Sequence, residues 1–148
     1  MAVTNTAAFG QSGFFYQCKV TAAKAAIGTA TNTNTVALVA AGSIGANGTI
    51  VTGISCVPAN TITASWVAIY WSTDSGTTLT PITVGTLTAY TAAATLGPTP
   101  FSFLHPNGSA IGPTNPLYLP YAAGNAIYAG IGVAVTDGVL FQINGTNL

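Results

Sequence analysis

From Thr35 onward the chain is a succession of short apolar, β-branched and aromatic runs broken by clusters of Gly, Pro, Asn and Ser. That punctuation leaves little room for a helix that buries a face, and it predicts strands joined by turns. The strongest run is 62–71. One of its faces carries Ile62, Trp66 and Tyr70; the other carries Val67, Ile69 and Trp71. Apolar residues on both faces predict a strand covered on both sides. In a two-layer sandwich only one of those sides is core, so the other face is a candidate subunit contact. Residues 49–57 place Ile50, Ile54 and Cys56 on one face and Val51 and Val57 on the other. Asp74-Ser75-Gly76 predicts a tight turn, with 79–88 as the return strand, near an edge because of Pro81. Short strands are expected at 36–40, 101–104 and 117–121.

The last third reads as a hairpin. Residues 126–135 set Ile127, Ile131, Val133 and Val135 against an opposite face of Tyr128, Gly130, Gly132 and Ala134. Asp137-Gly138 is the expected turn and 139–143 the return. The small face invites close approach by another backbone; the alternative is that its glycines mark bulges or bends. Counted this way there are about eight short strands. The expectation is an all-β, single-domain antiparallel β-sandwich or jelly-roll-like fold. No repeat points to a solenoid or propeller.

The first residues differ. Residues 1–17 set Phe9, Phe14, Phe15 and Tyr16 among Gly, Ser, Thr and Asn. They read either as an arm docking aromatics on a neighbour or as a first edge strand, leaving 18–148 as the sandwich. Residues 20–30 are Ala-rich and suggest a helical turn or two, cut short by Gly28. Thr29, Thr31, Thr33 and Thr35 alternate with Ala30, Asn32 and Asn34, a strand period in a loop composition.

Charge narrows the function. Of 148 residues only Lys19, Lys24, Asp74 and Asp137 are charged, with His105 the single imidazole and a formal net charge of +0. Ordinary soluble domains are about 25% charged; this chain is 3% charged. Either Thr, Asn, Ser and Gly alone keep a monomer dispersed, or other subunits cover much of the surface. The second reading explains more, since interface cores are depleted in Lys, Glu and Asp. Two lysines and no arginine cannot build a nucleic-acid-binding patch or hold an anionic membrane surface. No run of 18 apolar residues is present to span a membrane. Residues 1–10 lack the basic and apolar regions of a secretory signal, so synthesis in the cytoplasm is expected.

The residues offer little for chemistry. Asp74 and Asp137 sit at predicted turns, a role that accounts for both. His105 stands beside Pro106 in a Gly/Pro loop with no Gly-x-Ser-x-Gly elbow anywhere. The cysteines, His105 and the carboxylates have no metal-ligand spacing, and no nucleotide-binding glycine motif joins a strand to a helix. No enzyme activity, cofactor or metal is therefore expected. Cys18 and Cys56 are expected as free, partly buried thiols, pairing being the alternative. The Asn-Gly pairs at 47, 107 and 144 fit glycosylation acceptors and fit turns better. Trp66, Tyr70, Trp71 and Tyr90 suggest a sugar-stacking platform, against which core packing of Trp66 is the stronger reading.

The opening MAVTNTAAF, the near-absence of charge, the Ala/Thr/Gly-rich strands and the closing NPLYLPYAAGNAIYAGIGVAVTDGVLFQINGTNL together carry a resemblance. The chain resembles small virion proteins of tailed bacteriophages, in particular capsid decoration (cement) proteins. The resemblance implies a β-sandwich or jelly-roll-like domain, a homotrimer, seated on the capsid surface at junctions of the major capsid protein. There it would clamp capsomers against internal pressure. Alternatives are a tail or head-fibre accessory virion protein, a carbohydrate-binding β-sandwich module using Trp71 and Tyr90, or an ice-binding surface on the Thr row. Interface candidates are Phe9, Phe14, Phe15, Tyr16, Trp71, Tyr128, Gly130 and Gly132.

Overall fold

The structure, a computed structural model, describes residues 12–93 and 97–148. Nine strands follow one another: β1 (Ser12–Val20), β2 (Val36–Val39), β3 (Thr49–Pro58), β4 (Ser65–Ser72), β5 (Thr80–Leu87), β6 (Phe101–Ser102), β7 (Leu117–Leu119), β8 (Ala126–Ile131) and β9 (Val139–Asn147). They form two antiparallel sheets packed as a sandwich. The first has the order β1-β9-β3-β6, with β7 also on β3; the second has the order β2-β8-β4-β5. Set β7 aside and the pairing is nested: β1 with β9, β2 with β8, β3 with β6, β4 with β5. That is one long antiparallel ribbon wound around a core, the jelly-roll path.

Alternation builds the core from both sheets. Val67 and Ile69 of β4 and Ile127, Ala129 and Ile131 of β8 point inward from the second sheet. Val51, Ile54 and Cys56 of β3 meet them from the first sheet, with Val139, Phe141 and Ile143 of β9. Phe103, just past β6, lies edge-on to Phe101 and stacks with Phe141 at 6.1 Å. Each such fully buried side chain is worth about 1.5–3 kcal/mol of transfer free energy.

Three expectations are corrected. In β3 the register on β9 jumps between Val51↔Gly145 and Gly53↔Asn144. The extra residue reverses the side-chain phase. Val51 therefore shares the core face with Ile54 and Cys56 instead of opposing them. Gly145 permits the distortion, because a Cβ there would strike the Ile50 carbonyl oxygen.

Residues 126–143 are not a hairpin: β8 lies in the second sheet and β9 in the first. The turn survives, with Gly138 at φ 77° and its N–H donating to the Val135 carbonyl at 3.0 Å. It lies in a crossing between sheets, so the apolar faces of β8 and β9 meet across the core rather than side by side.

The Ala-rich stretch is not helical. β1 runs unbroken through Val20, and Ala23 then bridges Ile131 in parallel, with the Lys24 N–H on the Ile131 carbonyl at 2.8 Å. Extended pairing takes the backbone groups that a helix would have used. The proposed boundary at 17/18 falls inside β1, so the described part of the N-terminal region is an edge strand.

Candidate functional site

The four charged side chains are placed in very different ways. Asp74 is exposed and organises the β4–β5 turn. Its carboxylate accepts from the Thr78 N–H and the Ser72 hydroxyl, both at 2.8 Å. Those bonds, the Thr78 backbone one first, hold its carboxyl below the usual range. Asp137 accepts from the Asn60 amide, and Lys19 is exposed on β1. Lys24 is not a surface residue at all: it is 2% exposed. Its ammonium donates to the Thr31 carbonyl and lies 5.5 Å from the Tyr70 ring centroid. Burial lowers its pKa, and no ion pair with Asp74 or Asp137 offsets that.

Lys24 belongs to a second cover on the outer face of the second sheet. Tyr70 is fully buried there with Ala68 and Leu79, and Trp66 and Tyr128 pack against them. The segment after β1 forms part of the roof, tied down where the Leu79 N–H reaches the Ala30 carbonyl at 2.7 Å. A Cβ on Gly130 would meet the Tyr70 ring at 3.1 Å, and one on Gly132 would strike the Trp66 indole. The small face of β8 is thus filled by this chain's own aromatic rings. Burial pushes the Tyr70 phenol up to about 12, and its hydroxyl has no partner among the described residues. Tyr128, half-buried, donates to the Ser75 carbonyl at 3.1 Å. Trp71 sits on the inner face and packs against the main core, as does Tyr90.

The outer face of the first sheet has no such cover among the described residues. Its rows are Lys19–Leu140–Val57, Gln17–Gln142–Ser55, Phe15 beside Asn144, and Gly13–Thr146–Ile50–Tyr118. Phe15 is 58% exposed. On the other face of β1, Phe14 and Tyr16 stack at 5.3 Å and are half-buried against the core. Phe9 lies outside the described residues. Of the sequence candidates, the structure therefore brings Phe14, Phe15 and Tyr16 together on one edge. It places Tyr128, Gly130 and Gly132 around the second sheet's cover.

Cys18 and Cys56 are free and buried, flanking Phe141 from opposite sides. Two strand spacings, about 9.6 Å, exceed the reach of a disulfide. Burial pushes both thiols up to about 12, so they are inert at neutral pH.

Sequence reasoning missed two hollows. One, of about 460 Å³, is lined by Ile82, Val84, Phe101, Leu104 and His105 at the side of the sandwich. His105 bonds the Asn115 carbonyl through Nε2 at 3.0 Å. The other, of about 260 Å³, is lined by Lys24, Thr29, Thr31 and Thr33. The Thr alternation was its only sequence signal. No group of three metal-ligating side chains exists among the described residues, and no helix there is long and apolar enough to cross a membrane. Comparison with known proteins finds no matching family model, no similar curated protein and no similar solved structure.

Proposed function

We propose that this chain is a structural virion protein that binds the outside of a tailed-phage capsid and stabilises contacts between capsomers as a homo-oligomer. The observation that carries the reading is the surface. Its accessible area is 7652 Å², and only Lys19, Asp74 and Asp137 place charged side chains on it. A surface so free of charge suits permanent burial against other subunits, where an unpaired charge is costly. The jelly-roll path supports the reading by analogy, since viral capsid domains use it; lectin domains use it too, and fold alone assigns no function.

With so few charges to screen, attachment rests on apolar and backbone contacts and resists salt. The test is co-sedimentation with heads of the parent phage stripped of this protein, at low salt and at about 1 M salt. Binding that persists at high salt is expected. No binding, or release by salt, overturns the reading. Cryo-electron microscopy of the particle then separates a capsid seat from a tail or head-fibre position. A glycan array tests the carbohydrate-binding alternative.

A further inference from the structure

The four sheet edges differ in how they are protected. β2 is four residues long and its register on β8 shifts. β5 carries Pro81 and a register shift against β4. The far side of the first sheet ends in β6, of two residues, and β7, of three, the latter set between Pro116 and Pro120. Short strands, prolines and bulges are the devices that stop an edge from recruiting another strand. β1 has none of them. It runs nine residues in unbroken register on β9, contains no proline, and has one charge, Lys19. From Ser12 to Gln17 it is exposed or half-exposed throughout.

We propose that the outer edge of β1, unpaired among the described residues, pairs antiparallel with the β1 edge of a second copy of this chain, fusing two first sheets into one across a twofold axis near Tyr16. An isologous contact requires one strand to complement itself, and β1 does. Centring the pair on Tyr16 sets Phe15 against the partner's Gln17, on the outer face. On the inner face Phe14 meets the partner's Cys18, and the half-buried Phe14 and Tyr16 rings gain cover at their open sides. Lys19 falls opposite the partner's Gly13. The two lysines are then about 20 Å apart, six residues at about 3.4 Å each, so no like charges meet. This pairing gives a dimer in solution where the resemblance implies a trimer. It does not rest on capsid binding, and either can fail alone.

The test is sedimentation equilibrium of the full chain. Wild type is expected at twice the chain mass. The double variant Phe15→Lys/Gln17→Lys sets like charges opposite at two symmetric places and weakens pairing roughly tenfold. Mixing it with Phe15→Asp/Gln17→Asp restores dimers of one chain of each kind. A wild-type monomer or trimer overturns the proposal, as does a dimer indifferent to these substitutions. Amide exchange gives a reading that needs no variant: protection within residues 13–19 must rise with protein concentration, and concentration-independent exchange overturns the pairing.

Discussion

The two sheets share one core but treat their outer faces in opposite ways. The second sheet is covered twice, by the main core inside and by Tyr70, Leu79, Trp66, Tyr128 and the stem of Lys24 outside. Among the described residues the first sheet is covered once; its outer rows mix Gln17, Gln142, Ser55 and Asn144 with Phe15, Leu140, Val57, Ile50 and Tyr118. An alternation with large apolar residues on both faces, as in β4, is thus satisfied within the chain. An alternation of large apolar inward residues with uncharged outward ones, such as Leu140, Gln142 and Asn144 in β9, leaves a neutral surface open among the described residues.

Truncation breaks or confirms that contrast most directly. Tyr70→Ala removes a fully buried ring from the outer cover and should cost about 3–5 kcal/mol, whereas Gln142→Ala on the first sheet should stay within about 0.5 kcal/mol. Urea unfolding of the two variants decides; similar costs would show that the second cover is no second core.

Alkaline unfolding probes the first sheet's inner side. The Cys18 and Cys56 thiols stay protonated in the fold up to about 12, while in the unfolded chain they ionise near 9.0. A raised folded pKa means stability that is present below pH 9 and lost as pH climbs toward 12. At pH 10 the loss is about 1.4 kcal/mol per thiol. Cys18→Ala/Cys56→Ala, less stable at neutral pH, should show a correspondingly smaller drop between pH 8 and pH 10. An equal drop would place the alkaline weakness elsewhere.

The smallest effect concerns Lys24. Lys24→Met keeps the stem's packing and removes a desolvated ammonium, so a small gain in stability is expected at pH 7. With the folded pKa lowered below 10.5, the wild-type penalty is full below the folded value and fades as pH rises toward 10.5. The advantage of Lys24→Met over wild type should shrink accordingly. Thermal unfolding of both proteins at pH 7 and pH 10 measures it, and a destabilised Lys24→Met would mean that the bond to Thr31 outweighs the desolvation.

Local sequence determined a good deal. The period-2 pattern at Val67, Ile69 and Trp71 against Trp66 and Tyr70 marked β4 as a strand apolar on both faces, while only the packing of the two sheets decided that Val67 and Ile69 meet the main core and Trp66 and Tyr70 the outer cover. Asp74-Ser75-Gly76 fixed the turn to β5, where Ser75 and Gly76 take positive φ of 60° and 95°. Punctuation by Gly and Pro gave an all-β chain of short strands. Tertiary structure decided what lies several positions or a whole sheet away. The bulge that turns Val51 inward depends on how β3 meets β9, which no window of β3 reveals. Asp137-Gly138 makes the same turn whether the next strand pairs alongside or crosses over, so only the core's need for facing layers chose the crossing. Lys24 reads as a surface charge because its burial comes from Tyr70 and Thr31, residues that only the wound ribbon brings to it.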